Sequence, residues 1–298
     1  MSFLNVVILG LVQGITEFLP VSSSGHLAIA KALLGIDEPG LLLDVLLHFG
    51  TLIAIFVVYW KDIVRLIVAF FQMEGDCLVN AGVFFQRNVL KRIVSYRKIV
   101  DSGYKRFVVM VIVSTIPTGI IGVLDKDFVE LAGTFLIIPG IGLIITGIVL
   151  IIADRVKGGN KLPKSISYSN SFIVGIAQGV ATLPGISRSG STLACSLVLG
   201  FDRTFAVKYC FIMSIPAVLG SVVFEIADVG KEVLAGGEIA MYAVGMIVAA
   251  VVGYICIKTM LLIVRRKRLW GFSVYCFIVG AVSIVAWYLD YLGKISIS

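Results

Sequence analysis

One amide, one carboxylate, three consecutive hydroxyls and an imidazole fall between Gln13 and His26, in the stretch QGITEFLPVSSSGH. They interrupt a greasy N-terminus, with Val6 to Leu9 upstream and Leu27 to Ala30 downstream. Ionisable groups in such surroundings are costly and by default mark a functional site. Gln13 and Glu17, four residues apart, share one face of a helix. Pro20 ends that helix, having no N–H to donate. Ser22-Ser23-Ser24-Gly25 can then open a second short helix, whose bare N–H groups suit an anion, phosphate best of all. If it begins near Ser22, His26 lies one turn from Ser23 and can take a proton from a serine nucleophile or from water. Glu17 can act as a base, coordinate a divalent cation, or serve only as a counter-charge.

A second stretch, Gln178 to Gly190, reads QGVATLPGISRSG. In both stretches a Gln-Gly pair is followed, nine residues after the Gln, by Ser-x-Ser-Gly: Ser22, Ser24 and Gly25 in the first, Ser187, Ser189 and Gly190 in the second. The two copies lie 165 positions apart and argue for an internal duplication. A fainter echo pairs Ser114-Thr115-Ile116-Pro117 with Ser214-Ile215-Pro216. Arg188 can grip phosphate oxygens through two parallel N–H groups, or pair with Glu17 so that both are neutralised. Ser187, Ser189 and Thr192 can cradle a diphosphate beside it, or satisfy backbone groups freed by the break. Asp44 and His48, one turn apart, face either this pocket or another polar cavity.

The elements that position these groups are membrane helices. The chain has 298 residues, 59% hydrophobic and 14% charged, with mean hydropathy +1.04, which excludes a soluble domain. Its net charge of +7 resides in short loops, so nucleic acid is not an expected partner. Cys77, Cys195, Cys210, Cys256 and Cys276 show neither a disulfide nor a zinc pattern and read as packing residues. Met1-Ser2-Phe3 lacks the basic stretch of a cleavable signal, and none is expected.

The pattern predicts an all-α integral membrane protein forming one membrane domain over 1–298. The first repeat covers 1–152 and the second 170–298. In the first, segments 3–19 and 26–35 are too short to cross and form a re-entrant hairpin over 3–35. It leaves through an acidic turn, Gly35-Ile36-Asp37-Glu38-Pro39. Spans follow at 41–60, 107–124 and 131–152, with 72–106 a polar cytoplasmic loop that can carry a surface helix. A basic linker, 153–169, separates the halves. The second repeat has a hairpin over 170–200, broken at Pro184-Gly185, and spans at 203–225, 239–264 and 269–290. Three crossings per half are odd, so the second half enters inverted. The basic loops 72–106, 153–169 and 265–268 then share the inner side, the acidic turn 125–127 and residues 228–238 lie outside, and both hairpin tips meet near the midplane.

At these motifs the chain resembles the undecaprenyl-pyrophosphate phosphatases, the bacitracin-resistance family. That family carries (E/Q)-x-x-x-E-F-L-P-[VI]-S-S-[ST]-G-H near its N-terminus, matched by Gln13 and by Glu17 through His26. It carries P-G-x-S-R-S-x-x-T in its second half, matched by Pro184, Gly185, Ser187, Arg188, Ser189 and Thr192. The His48-Phe49-Gly50-Thr51 segment fits as well, so the likeness covers essentially the whole chain. It implies hydrolysis of the terminal phosphate of a C55 polyprenyl pyrophosphate in the bacterial inner membrane, with the site facing outward and Glu17, Ser23, His26 and Arg188 as catalytic groups. Gln13, Ser22, Ser24, Gly25, Ser187, Ser189 and Thr192 would bind substrate. Glu17 and Gln13 would hold Mg2+ or Ca2+, although Gln13 leaves one carboxylate where two would grip a metal better. Membrane lipids are expected partners, and the family permits a homodimer. The competing expectation is a transporter or flippase of a polyprenyl phosphate or another anion, because paired broken helices also typify carriers.

Overall fold

The computed structural model describes residues 1–36, 41–133, 135–229, 236–266 and 268–292. The expected acidic turn at Asp37-Glu38-Pro39, the charges at Lys231 and Glu232, and Lys267 lie outside the described residues. In chain order the helices are α1 (Phe3–Thr16), α2 (Ser23–Leu33), α3 (Leu41–Asn88), α4 (Gly103–Leu124), α5 (Lys126–Gly133) and α6 (Ile137–Arg155). A 3-10 turn at Pro163–Ser165 leads to α7 (Tyr168–Val180), α8 (Arg188–Val198), α9 (Arg203–Val229), α10 (Gly236–Arg265) and α11 (Trp270–Tyr291). Six helices (α3, α4, α6, α9, α10 and α11) contain stretches long and apolar enough to cross a membrane.

Serine hydroxyls start five helices in one way. Ser2, Ser22, Ser102, Ser167 and Ser187 each accept the backbone N–H three residues on, at 3.1 to 3.3 Å. Two of these pairs, Ser2 with Ser167 and Ser22 with Ser187, keep the 165-residue offset. The bounds of α2 and α8 match at that offset, so the two helix–break–helix units have the same local build. Each leading helix is seated by a Gly-x-x-x-Gly stripe, also at that offset. An added Cβ on Gly10 would lie 2.7 Å from the Gly245 carbonyl oxygen, and one on Gly175 would lie 2.2 Å from that of Ser114. Small residues let the backbones touch, so α1 packs on α10 and α7 on α4.

The fainter echo, Ser114-Thr115-Ile116-Pro117 with Ser214-Ile215-Pro216, falls on helices at different places in the chain order. Pro117 lies within α4 and Pro216 within α9, and α9 follows α8 as α3 follows α2. The expected span ending at Trp60 is also corrected, because α3 runs on to Asn88 through a kink at Tyr59. Its 48 residues extend roughly 70 Å, over twice the thickness of a bilayer core. Residues 72–88, where a loop with a surface helix was expected, are therefore helical and continuous with the span. The fold-back of the following segment accounts for this: Asn80 exchanges two hydrogen bonds with the Arg97 backbone, and Asp76 pairs with Lys105. An aromatic core includes Phe107, Phe201, Phe205 and Tyr209, and the same cluster contains Phe18, from the first break, packed edge-on against Phe211.

Gly175→Ala should push α7 off α4 and cost about 1–3 kcal/mol, as overpacking does. Gly119→Ala, where an added Cβ meets nothing within 4 Å, should be neutral or stabilising by about 0.5–1 kcal/mol. Thermal unfolding in detergent checks both, and equal midpoints for the two variants would contradict the packing.

Candidate active site

The breaks after α1 and α7 meet. An added Cβ on Gly25 would lie 3.1 Å from Gly185 Cα, and one on Gly190 would lie 3.3 Å from Pro20 Cβ. Ser189 Oγ donates to the Leu19 carbonyl at 3.2 Å, which stitches one break to the other. Gly185, at φ +86°, makes the sharp turn that brings Ser187 and Arg188 back toward the first break.

At this crossing Arg188 Nη2 donates to Glu17 Oε1, and the two form an ion pair. The Glu17 side chain is 7% exposed and that of Arg188 24%. The second carboxylate oxygen accepts the Ser23 hydroxyl at 2.6 Å and the Gln13 amide at 3.2 Å. Gln13 is fully buried, and its Oε1 has no hydrogen-bond partner. A narrow cleft opens here, lined by Glu17, Phe18, Arg188, Ser189, Thr192, Cys210, Phe211 and Ser214. Around it, Ser22 and Ser24 hydroxyls sit 3.2 Å apart, and those of Ser187 and Ser189 3.3 Å apart. Thr192 turns inward on its own helix and donates to the Arg188 carbonyl at 2.8 Å.

His26 is oriented differently from the sequence expectation. Its Nδ1 lies 2.8 Å from the Ser22 carbonyl, which can only accept, so Nδ1 carries the proton. In the neutral ring Nε2 accepts the Tyr275 hydroxyl, also at 2.8 Å, and the two rings stack. Ser23 thus donates its hydrogen bond to Glu17 and not to His26, whose two ring nitrogens face Ser22 and Tyr275. The reason is local: the His26 ring folds back over the cap of its own helix, where Ser22 sits at φ +70°, an uncommon conformation for serine.

Asp44 pairs with Lys31 at 2.6 Å, and His48 Nδ1 donates to the Asp44 carbonyl at 2.9 Å. Lys31 was not singled out in the sequence, nor was Tyr275, nor Thr146, whose hydroxyl touches the second break. A hydroxyl inside the apolar run of α6 was a signal in the sequence for Thr146. Tyr275 and Lys31 gave none, because a tyrosine near a helix start and a lysine in a short helix are ordinary.

Comparison with known proteins bears on this geometry. The family model described as bacitracin resistance protein BacA matches residues 6–282. The chain belongs to the BacA family. Relatives named undecaprenyl-diphosphatase include one from Methanosphaera stadtmanae, 41% identical over 285 residues, covering 96% of this chain and 98% of the relative. Another, from Alkaliphilus metalliredigens, is 40% identical over 287 residues and covers 96% and 98%. A third, from Desulfatibacillum aliphaticivorans, is 39% identical over 293 residues and covers 96% and 99%. The BacA match takes in both broken-helix units, so the Glu17–Arg188 crossing lies inside the shared region.

Glu17→Gln should leave the Arg188 guanidinium without its counter-charge and lower stability by about 3 kcal/mol. Glu17→Gln combined with Arg188→Gln should recover most of that loss. Thermal midpoints of the wild type, Glu17→Gln, Arg188→Gln and the double variant in detergent test this, and full additivity of the two single losses would argue against the pair.

Proposed function

We infer that this chain hydrolyses undecaprenyl pyrophosphate to the lipid monophosphate and inorganic phosphate, returning the lipid carrier to peptidoglycan synthesis and thereby conferring bacitracin resistance. The observation that carries the reading is one carboxylate, Glu17, bonded at once to a guanidinium and to a serine hydroxyl at the crossing of two helix breaks. The relatives' name supplies the substrate class.

A diphosphate entering the cleft competes for Arg188, whose planar fork suits two phosphate oxygens. The N–H groups heading α8 and the Ser187 and Ser189 hydroxyls add donors where charge accumulates. Glu17, freed from Arg188, takes the Ser23 proton. Ser23 Oγ then bonds the terminal phosphorus, and the bridging P–O bond breaks with its electrons leaving on the lipid monophosphate. Water cleaves the phosphoseryl bond. Direct attack by a water held on Glu17 gives the same products, and acid trapping of labelled phosphate on Ser23 separates the two routes. His26, turned to Tyr275, maintains the Ser22 cap in this scheme.

Gln13 turns its amide Nε2 to the Glu17 carboxylate and leaves Oε1 buried without a partner, so Gln13 and Glu17 would hold a divalent cation, Mg2+ or Ca2+, with that amide turned over to aim Oε1 at the ion. No group of three or more His, Cys, Asp or Glu among the described residues could hold an ion, so substrate oxygens and water would complete its shell. When bound, it would neutralise diphosphate charge.

The two broken-helix units act as re-entrant hairpins of an inverted repeat in the cell membrane, with the site open to the outer side. Helix α2, of 11 residues, is too short to cross, as is α8. Helix α7 runs parallel to α4, with Arg106 bonded to the Ile166 carbonyl and Asp125 accepting from Thr182. Helix α1 runs parallel to α10, Gly10 meeting Gly245 and Gly14 meeting Ala249. If all six spans cross, α4 and α10 run oppositely, so α1 and α7 enter from opposite faces.

Purified protein in detergent should release phosphate from undecaprenyl pyrophosphate. Glu17→Ala and Arg188→Ala should lower turnover at least about 100-fold, and a chelator should stop it until Mg2+ or Ca2+ is restored. Release by both variants at wild-type rates would refute the site, whereas no release by the wild type would favour a carrier. For the topology, in a Cys77→Ser background, an impermeant maleimide should label Phe128→Cys in intact cells and Tyr96→Cys only after permeabilisation. Both positions are exposed. Labelling of both from outside would contradict the arrangement.

A further inference from the structure

We propose that Thr146 of α6 is the positioning residue for Arg188, acting through the turn that precedes it. Thr146 is 1% exposed. Its hydroxyl donates to the Gly185 carbonyl at 3.0 Å and accepts the Ser187 N–H at 2.9 Å. One side chain thus fixes both ends of the three-residue turn Gly185-Ile186-Ser187. Ser187 is the N-cap of α8, and Arg188 is the first residue of that helix. Setting the Ser187 peptide sets the direction in which α8 begins, and with it the direction of the guanidinium.

The surface that receives this turn is shaped for it. Gly142, one helical turn before Thr146, lies against the turn so closely that an added Cβ would sit 2.4 Å from the Pro184 carbonyl oxygen. The Pro139 carbonyl oxygen closes on Gly185 in the same way, at 2.1 Å from where its Cβ would be. The α6 backbone provides contact, while Thr146 provides the directional bonds. Ser22, the equivalent cap in the first unit, is instead tied down by His26 of its own helix. The second unit has Ser191 at that position, whose N–H bonds the Ser187 carbonyl while its side chain supplies no such tie. The second unit thus takes its tie from a hydroxyl on another helix, and the first from its own.

The inference rests on the reading of Arg188 as the phosphate clamp. Thr146→Val keeps the branched shape and removes both bonds. It should lower kcat for phosphate release from undecaprenyl pyrophosphate about 10- to 100-fold, because small misplacement weakens contacts to the transition state more than binding of the ground state. KM should remain nearly unchanged, and Thr146→Ser should restore turnover. In an Arg188→Lys background, where the fork is already lost, Thr146→Val should cost little more. Unchanged kcat in Thr146→Val, or losses that multiply in the double variant, would overturn the proposal. If Thr146→Val does not fold, Thr146→Ala carries the same comparison. Should Arg188→Lys turn over like wild type, the reading of the clamp itself fails. If Arg188→Lys is impaired and Thr146→Val is not, only the role of Thr146 fails.

Discussion

A carboxylate and a guanidinium inside an apolar helix bundle tolerate each other and little else. Neither Glu17 nor Arg188 could be buried alone at acceptable cost, so each requires the other at hydrogen-bond distance. Their helices are remote in sequence, and the breaks after α1 and α7 bring them together. Much else follows from that constraint. The glycine stripes let α1 and α7 approach their partners closely, the serine caps start α2 and α8 at matching points, and Gly185 turns the chain sharply enough to return Arg188.

The pair also explains how the pocket can wait without substrate. Glu17 carries Arg188, Ser23 and Gln13 on two oxygens, so both carboxylate oxygens are bonded, while the Gln13 carbonyl oxygen is buried without a partner. In the proposed scheme a diphosphate replaces Glu17 on Arg188, and the carboxylate left without its partner is neutralised by taking the Ser23 proton. The same exchange leaves Glu17 beside the Ser23 hydroxyl, so substrate arrival and base activation are one event in this scheme.

The near-duplication is informative where it departs from itself. At the 165-residue offset Glu17 corresponds to Thr182 and Ser23 to Arg188. One unit therefore contributes the carboxylate and the serine hydroxyl at the crossing, and the other contributes the guanidinium. Thr182 bonds Asp125 instead of joining the crossing, while Gln178 bonds Thr118, so these two counterparts of Glu17 and Gln13 turn toward α4.

Helix type, the six spans and both breaks were legible in the residues, because runs of apolar side chains, prolines and serine caps act over a few positions. Glu17 and Arg188 were recognisable as a candidate pair, since an unpaired charge in such surroundings is improbable. The extent of α3 was not legible: residues 72–88 are polar enough to read as loop, and the contacts that keep them helical come from the fold-back at Arg97 and Lys105. The direction of the His26 ring, the Ser23 bond to Glu17 and the grip of Thr146 on the second break were decided only in three dimensions. Each depends on a hydrogen-bond angle between groups on separate segments, and spacing along a chain carries no information about such an angle.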